Sequence, residues 1–496
     1  MHMKTLPTSS TCLISRLKDP SLLKTHALIN GQWLPGSARF EVNDPATGLR
    51  LADVADLTAE DTTHAIAAAN AALPAWRGKT GKARHAILLK WYTLLMASQD
   101  DLACIMTAEQ GKPLAEAKGE IAYGASFVEW FAEEAKRVNG ENLPPFDNNR
   151  RLSVIKQPIG VCAAITPWNF PLAMITRKVA PALAAGCTVV IKPAELTPLT
   201  ALAAAELAVR AGIPPGVLNV LTSSHSAAVG KVLCASQTVR HLSFTGSTEV
   251  GRILMAQCAP TVKKLSLELG GNAPFIVFDD ADVDSAVDGA MASKYRNAGQ
   301  TCVCANRIYV QDGVYEQFVE KFAAKVKALK VGNGFDDGVA QGPLIAPSAV
   351  DKVALHVADA LAKGGTLLAG GRRLEGQFFE PTVIGNASAD MLCATQETFG
   401  PFAPVFRFTQ DQDAIDAANN TEFGLASYFY SRDIGRIYRV AEALEYGMVG
   451  INAGVIATEH VPFGGIKQSG LGREGSRHGI EDYLEMKFLC MGDIQK

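Results

Sequence analysis

The chain has 496 residues, 48% of them hydrophobic and 20% charged, with a formal net charge of −3. Length and composition suit a soluble globular protein of about three structural units at roughly 150 residues each. The small negative charge supplies no basic field for a phosphate backbone, which argues against a nucleic-acid partner, and no apolar run reaches the ~20 residues of a membrane-spanning helix.

The first 25 residues lack the apolar middle of a secretory signal. The ten cysteines stand singly apart from Cys302 and Cys304, with no Cys-x-x-Cys pair and no Cys/His cluster at zinc spacing. That usage points to a reducing, cytoplasmic compartment and to no metal site.

In chain order, Glu141-Asn142-Leu143-Pro144-Pro145-Phe146 breaks a helical pattern, and Arg151 to Gln157 reads as an edge strand. Thr188-Val189-Val190-Ile191-Lys192-Pro193 reads as a buried strand stopped by proline, followed by a helix from Thr200 to Ala211 that closes at Gly212. Strands are predicted at Gly216 to Leu221 and Val239 to Phe244, repeating the strand-helix-strand unit of dinucleotide-binding sheets. A second α/β series starts at Pro274 to Phe278, continues through Arg307 to Val310, and enters a helix over Val314 to Leu329. There Phe318, Phe322 and Val326 form one apolar stripe, which core packing explains. Tyr483 to Cys490 reads as another edge strand, and two exposed edges invite pairing with a second copy.

The chemistry centres on Cys302, in Asn297-Ala298-Gly299-Gln300-Thr301-Cys302, and on Glu268, in Leu267-Glu268-Leu269-Gly270-Gly271-Asn272. A thiol among small residues is open to substrate, and a carboxylate before two glycines has freedom to swing toward it. Phe244-Thr245-Gly246-Ser247 follows a strand and leads into a helix, the place for a phosphate, although its glycine spacing misses the usual dinucleotide fingerprint. Lys192 reaches a ribose or phosphate, and Glu195 accepts from ribose hydroxyls while repelling a 2′-phosphate, which favours NAD over NADP. Glu195 also reads as a solvated charge at a helix start. In Thr166-Pro167-Trp168-Asn169-Phe170-Pro171 a rigid loop offers the Asn169 amide to an oxyanion, or only to its own backbone. A cysteine hydrolase is the competing reading; it requires a histidine near Cys302, and no histidine stands in a motif.

Seven segments in order resemble the aldehyde dehydrogenase superfamily over nearly the whole chain: Pro167–Pro171, Lys192–Glu195, Phe244–Ser247, Glu268–Gly271, Gly299–Cys302, Glu397-Thr398-Phe399-Gly400-Pro401 and Pro462-Phe463-Gly464-Gly465. The resemblance implies a Rossmann-type cofactor domain (1–137 and 158–266), an α/β catalytic domain (267–479) and a small β oligomerisation extension (138–157 and 480–496), in a homodimer or homotetramer. It implies that Cys302 attacks an aldehyde, that Asn169 and the Cys302 N–H hold the oxyanion, and that Glu268 is the general base for thioester hydrolysis. Thr166, Pro167, Trp168, Lys192, Glu195, Gly246, Ser247, Glu397 and Phe399 are implied to hold NAD, with NADP possible. Lys178 and Glu474 match a proton relay, or an ordinary buried ion pair.

Arg177 lies eight residues after Asn169 and Arg296 six before Cys302; the pair suits a substrate carboxylate, while by residues alone each reads first as the partner of a protein carboxylate. Their surroundings, with the segment from Ser469 to Tyr483, resemble the succinate-semialdehyde dehydrogenase branch. In that branch a serine before Pro-Phe-Gly-Gly helps bind the carboxylate; Ala457 stands there in this chain, with Thr458 as the substitute, so glutarate semialdehyde remains an alternative. Members of the branch close Cys302 and Cys304 into a redox switch, and the same is expected here.

Overall fold

The computed structural model describes residues 13–494. Its largest sheet has eight strands in the spatial order Gly470–Leu471, Lys264–Glu268, Val239–Thr245, Val161–Ile165, Thr188–Lys192, Leu218–Val220, Ala27–Ile29 and Gln32–Leu34. The inner five run parallel, and the flanking strands pair antiparallel. Every side chain of Thr188–Lys192 is buried, because helices cover both faces of the sheet; a β-branched run meets that demand. The following helix is Pro198–Ala211, with proline in its first turn and Gly212 at φ 99° closing it.

A second sheet of seven strands takes all its residues from 273–277, 305–311, 366–369, 382–387, 402–408, 426–430 and 448–451. The Tyr315–Lys327 helix packs on it, with Phe318, Phe322 and Val326 fully buried. Four residues, Leu269 to Asn272, carry the chain from Glu268 at the end of a first-sheet strand to Ala273 in the second sheet.

The third sheet corrects one expectation. Arg151–Pro158 is its middle strand, between Leu484–Met491 and the short Glu141–Leu143, so only the last of the two predicted edges faces outward here. The strand Glu141–Leu143 is exposed throughout and shows no apolar alternation, which hid it from pattern reading.

Strand register aligns the site. Ile165 lies opposite both Lys192 and Phe244, and Thr245 lies opposite Glu268. The loops after these parallel strands therefore open into one crevice at the carboxyl edge of the sheet, the standard position for a ligand. Among the described residues no helix is long and apolar enough to cross a membrane.

Candidate active site

The loop before the thiol is held in an unusual backbone conformation. Asn297, Ala298 and Gly299 have φ of 52°, 53° and 75°, three consecutive left-handed residues. A Cβ on Gly299 would stand 2.2 Å from Gly400 O, so glycine is required there. Asn297 anchors the turn: its N–H donates to Glu116 Oε2 (2.8 Å), its Nδ2 to Asn169 O (3.0 Å) and Gln300 O (3.2 Å), and its Oδ1 accepts from Gln110 Nε2 (3.0 Å). Such strain persists where the surroundings over-determine it.

Cys302 follows, half-buried, at the floor of a cavity of about 280 Å³. Burial pushes its thiol up to about 12; Arg177 pulls it down, while Glu397, Glu268 and Cys304 push it further up. Asn169 lines the same cavity and donates Nδ2 to Gln300 O at 3.1 Å, while its buried Oδ1 has no partner. Pro167, Trp168, Gly246, Ser247, Glu397 and Phe399 complete the walls, joined by Thr245 and Lys352, which sequence reading did not single out. Trp168 and Phe399 meet edge-to-face, with centroids 5.6 Å apart and planes at 86°. Ser247 caps the Thr248–Cys258 helix, accepting from Val250 N.

Burial pushes the Glu397 carboxyl up to about 7, with Lys352 opposing, and its Oε1 accepts from Gly271 N at 3.4 Å. Lys192 and Glu195 stand outside the cavity walls, at the end of their strand. Lys192 Nζ donates to Glu195 Oε2 at 3.0 Å and to Pro193 O at 3.1 Å, and Ser226 Oγ donates to Glu195 Oε2 at 3.2 Å. Burial raises the Glu195 carboxyl, but the charge and hydrogen bond of Lys192 together with its backbone and Ser226 hydrogen bonds make the net shift downward. Thr166 is buried where its strand ends, its N–H donating to Lys192 O.

On the other side of the thiol, Glu268 is buried and its Oε2 lacks a partner. Burial raises its carboxyl well above the usual range and Glu474 adds to the rise, against Arg177, Lys178 and Arg473. Lys178 Nζ donates to Glu474 Oε1 (2.5 Å) and to Ser243 Oγ (2.9 Å), and Arg177 Nη2 lies 3.0 Å from Glu474 Oε2. Burial opposes ionisation of Glu474, yet the two cations hold it below the usual carboxylate range.

The two arginines differ. The Arg177 guanidinium is buried between Phe463 (3.9 Å to the ring centroid) and Phe127 (5.4 Å), with Glu474 as its ion-pair partner. Arg296 is half-buried over Phe170 and, among the described residues, makes no ion pair within 4 Å. Tyr123, also unforeseen, lies within electrostatic reach of Arg177, Arg296 and Cys302. The Thr458 hydroxyl is engaged by His460 Nδ1 at 3.1 Å, whereas Ala457 packs against the apolar cluster that Cys302 also touches. Cys304 is fully buried with Sγ directed at Lys294 O (3.5 Å), and both thiols are free.

The aldehyde dehydrogenase family model matches residues 33–489. A succinate-semialdehyde dehydrogenase [NADP(+)] of Escherichia coli K12 is 61% identical over 96% of this chain and 100% of its own length. A glutarate-semialdehyde dehydrogenase of Pseudomonas putida KT2440 is 61% identical over 96% of this chain and 99% of its own. The crystal structure of a succinate-semialdehyde dehydrogenase from Burkholderia pseudomallei superposes with a TM-score of 0.95 at 62% identity, covering 96% of this chain and 99% of that one.

Proposed function

From the premise that this chain belongs to the aldehyde dehydrogenase family, we propose that it oxidises succinate semialdehyde to succinate with a nicotinamide cofactor. The observation that carries the reading is that Cys302 and Asn169 line one cavity while Glu268 and Arg177 lie within electrostatic reach of the thiol. Cys302 adds as thiolate to the aldehyde carbon, forming a C–S bond. Asn169 Nδ2 and the Cys302 N–H stabilise the resulting oxyanion. Thr245 Oγ1, buried in the cavity wall without a partner, and the aromatic walls Trp168 and Phe399 suit a nicotinamide, with Glu397 beside its ribose and Lys192 and Glu195 farther out. When bound, a nicotinamide cofactor would supply the hydride acceptor that lets the thiohemiacetal become a thioester. Glu268 then takes a proton from water, the hydroxyl adds to the acyl carbon, the C–S bond breaks, and the carboxylate product leaves. Lys178 and Glu474 form a buried ion pair near Glu268, and this reading is favoured over a proton relay because two cations hold Glu474 ionised.

Arg296, with its charge unpaired, and Arg177 hold the far carboxylate of the substrate. Glu195 supports a preference for NAD, since a 2′-phosphate would meet a carboxylate already held ionised by Lys192, although the Escherichia coli relative is named for NADP(+). A five-carbon semialdehyde is the second reading, favoured by Ala457 and by the engagement of Thr458 with His460, which leave the far end of the pocket without a free hydroxyl from that loop. The outer strand Leu484–Met491, with Met486, Phe488, Leu489 and Met491 exposed, supports assembly with a second copy. A Cys302–Cys304 redox switch requires Cys304 Sγ to turn away from Lys294 O.

The test is a steady-state comparison of succinate semialdehyde, glutarate semialdehyde and butanal with NAD and NADP. A clear preference in kcat/KM for the carboxylated aldehydes is expected, and butanal turned over equally well would overturn the reading.

A further inference from the structure

Arg177 and Lys178 are consecutive on the buried Ala173–Ala185 helix, and both reach one carboxylate: Lys178 Nζ donates to Glu474 Oε1, and Arg177 Nη2 forms an ion pair with Oε2 at 3.0 Å without hydrogen-bond alignment. Arg177 is also wedged against Phe463, whose backbone is bridged to Glu474 by reciprocal hydrogen bonds, Phe463 N to Glu474 O and Glu474 N to Phe463 O (both 2.8 Å). The next residue, Gly464, closes on the base: a Cβ there would stand 2.9 Å from Glu268 Oε1. A purely substrate-binding arginine has no need of this attachment.

We infer that Arg177 is a positioning residue for the hydrolytic half-reaction, setting the ionisation of Glu268 through the carboxylate of Glu474. Resting on the proposed role of Glu268, this gives Arg177 a task that does not depend on a charged substrate. The groups facing Glu268 are Glu474 and Arg473 from the C-terminal segment, Arg177 and Lys178 from the buried helix, and the Cys302 thiol. Two cations against one neighbouring carboxylate leave Glu268 a buried base able to lose its proton. Removing one of those cations raises the pH at which it does so.

The test uses the deacylation phase of p-nitrophenyl butyrate hydrolysis by the full-length protein. The acyl group there is uncharged and no cofactor is needed. Arg177→Gln should move the ascending limb of the pH–rate profile toward alkaline by about one pH unit. Arg177→Lys keeps the charge and should restore much of the profile. Glu474→Gln, which removes the anion beside Glu268 and leaves the cations in place, should move the limb toward acid. This second sign keeps the test decisive if Arg177→Gln does not fold. An Arg177→Gln profile that stays in place, or a Glu474→Gln limb that does not move, overturns the inference. Failure of the semialdehyde reading would appear separately, as loss of the wild-type preference for carboxylated aldehydes.

Discussion

Replacing Lys112 by methionine probes what holds the oxyanion loop in place. Lys112 Nζ is buried, 2.5 Å from Glu120 Oε2, donating to Asn169 O at 2.8 Å and lying over the Phe170 ring at 4.1 Å. Breaking a buried ion pair from one side destabilises by about 3–5 kcal/mol, because the other charge stays behind. Here Glu120 Oε2 loses its cation, but the other carboxylate oxygen and Asn169 O keep partners. Glu120 Oε1 still receives Leu172 N (3.0 Å) and Ala173 N (3.3 Å) at the start of the helix bearing Arg177, and Asn169 O still receives Asn297 Nδ2 (3.0 Å). The lower end, about 3 kcal/mol, is therefore expected. Calorimetric midpoints of Lys112→Met, Glu120→Gln and the double variant, at fixed protein concentration, give the interaction. The double variant should be more stable than the sum of the singles predicts, by about 1–3 kcal/mol. Loosening Asn169 should also lower kcat by up to about 100-fold, the effect of a displacement near 1 Å at a reacting centre. Strictly additive midpoints together with unchanged kcat would refute the reasoning.

Three further outcomes follow from the geometry. Glu268→Gln should retain a rapid first turnover of NADH while steady turnover falls by about 100-fold or more, and a burst lost in proportion to turnover would refute its role in hydrolysis. With the thiol pushed up to about 12, alkylation of Cys302 by iodoacetamide in the cofactor-free protein should rise about tenfold per pH unit from roughly pH 7 to 10, and a plateau below pH 9 would contradict that environment. Glu195→Ser should raise the NADP-to-NAD ratio of kcat/KM roughly tenfold, equivalent to about 1.4 kcal/mol, and an unchanged ratio would remove Glu195 as the discriminating group.

Local chemistry made part of this molecule legible in its sequence. Thr188–Lys192 is a β-branched run stopped by Pro193, and the helix after it ends on Gly212, so both are visible within a few residues. The helix start moves from the expected Thr200 to Pro198 because proline suits the first turn. Four of the seven motifs, at Pro167–Pro171, Lys192–Glu195, Phe244–Ser247 and Glu268–Gly271, are contiguous for a similar reason: each is a turn at the end of a strand. The partners that hold those turns are not contiguous. Lys112 supports Asn169 from just before the distant Leu114–Glu134 helix, Glu116 and Glu120 on that helix hold Asn297 and Leu172, and Tyr123 and Lys352 enter the site from helices with no motif of their own. Arg177 was visible as a charge, but its engagement with Glu474 arises only when the C-terminal segment folds back onto the first sheet.

Three carboxylates around the site, Glu268 and Glu474 buried and Glu397 half-buried, show why burial alone does not assign a role. Glu474 has a cation at each oxygen and is held ionised against its desolvation. Glu397, opposed by Lys352 without an ion pair, rises to about 7. Glu268 has an unpartnered oxygen, a neighbouring carboxylate and cations at one remove, and rises well above the usual range. A general base must change protonation during turnover, so a carboxylate clamped between two cations is poorly suited, and one whose charge is only indirectly balanced is well suited. In the proposed reaction Glu268 therefore acts as the base and Glu474 as the fixed charge that, with Arg177 and Lys178, sets how readily the base yields its proton.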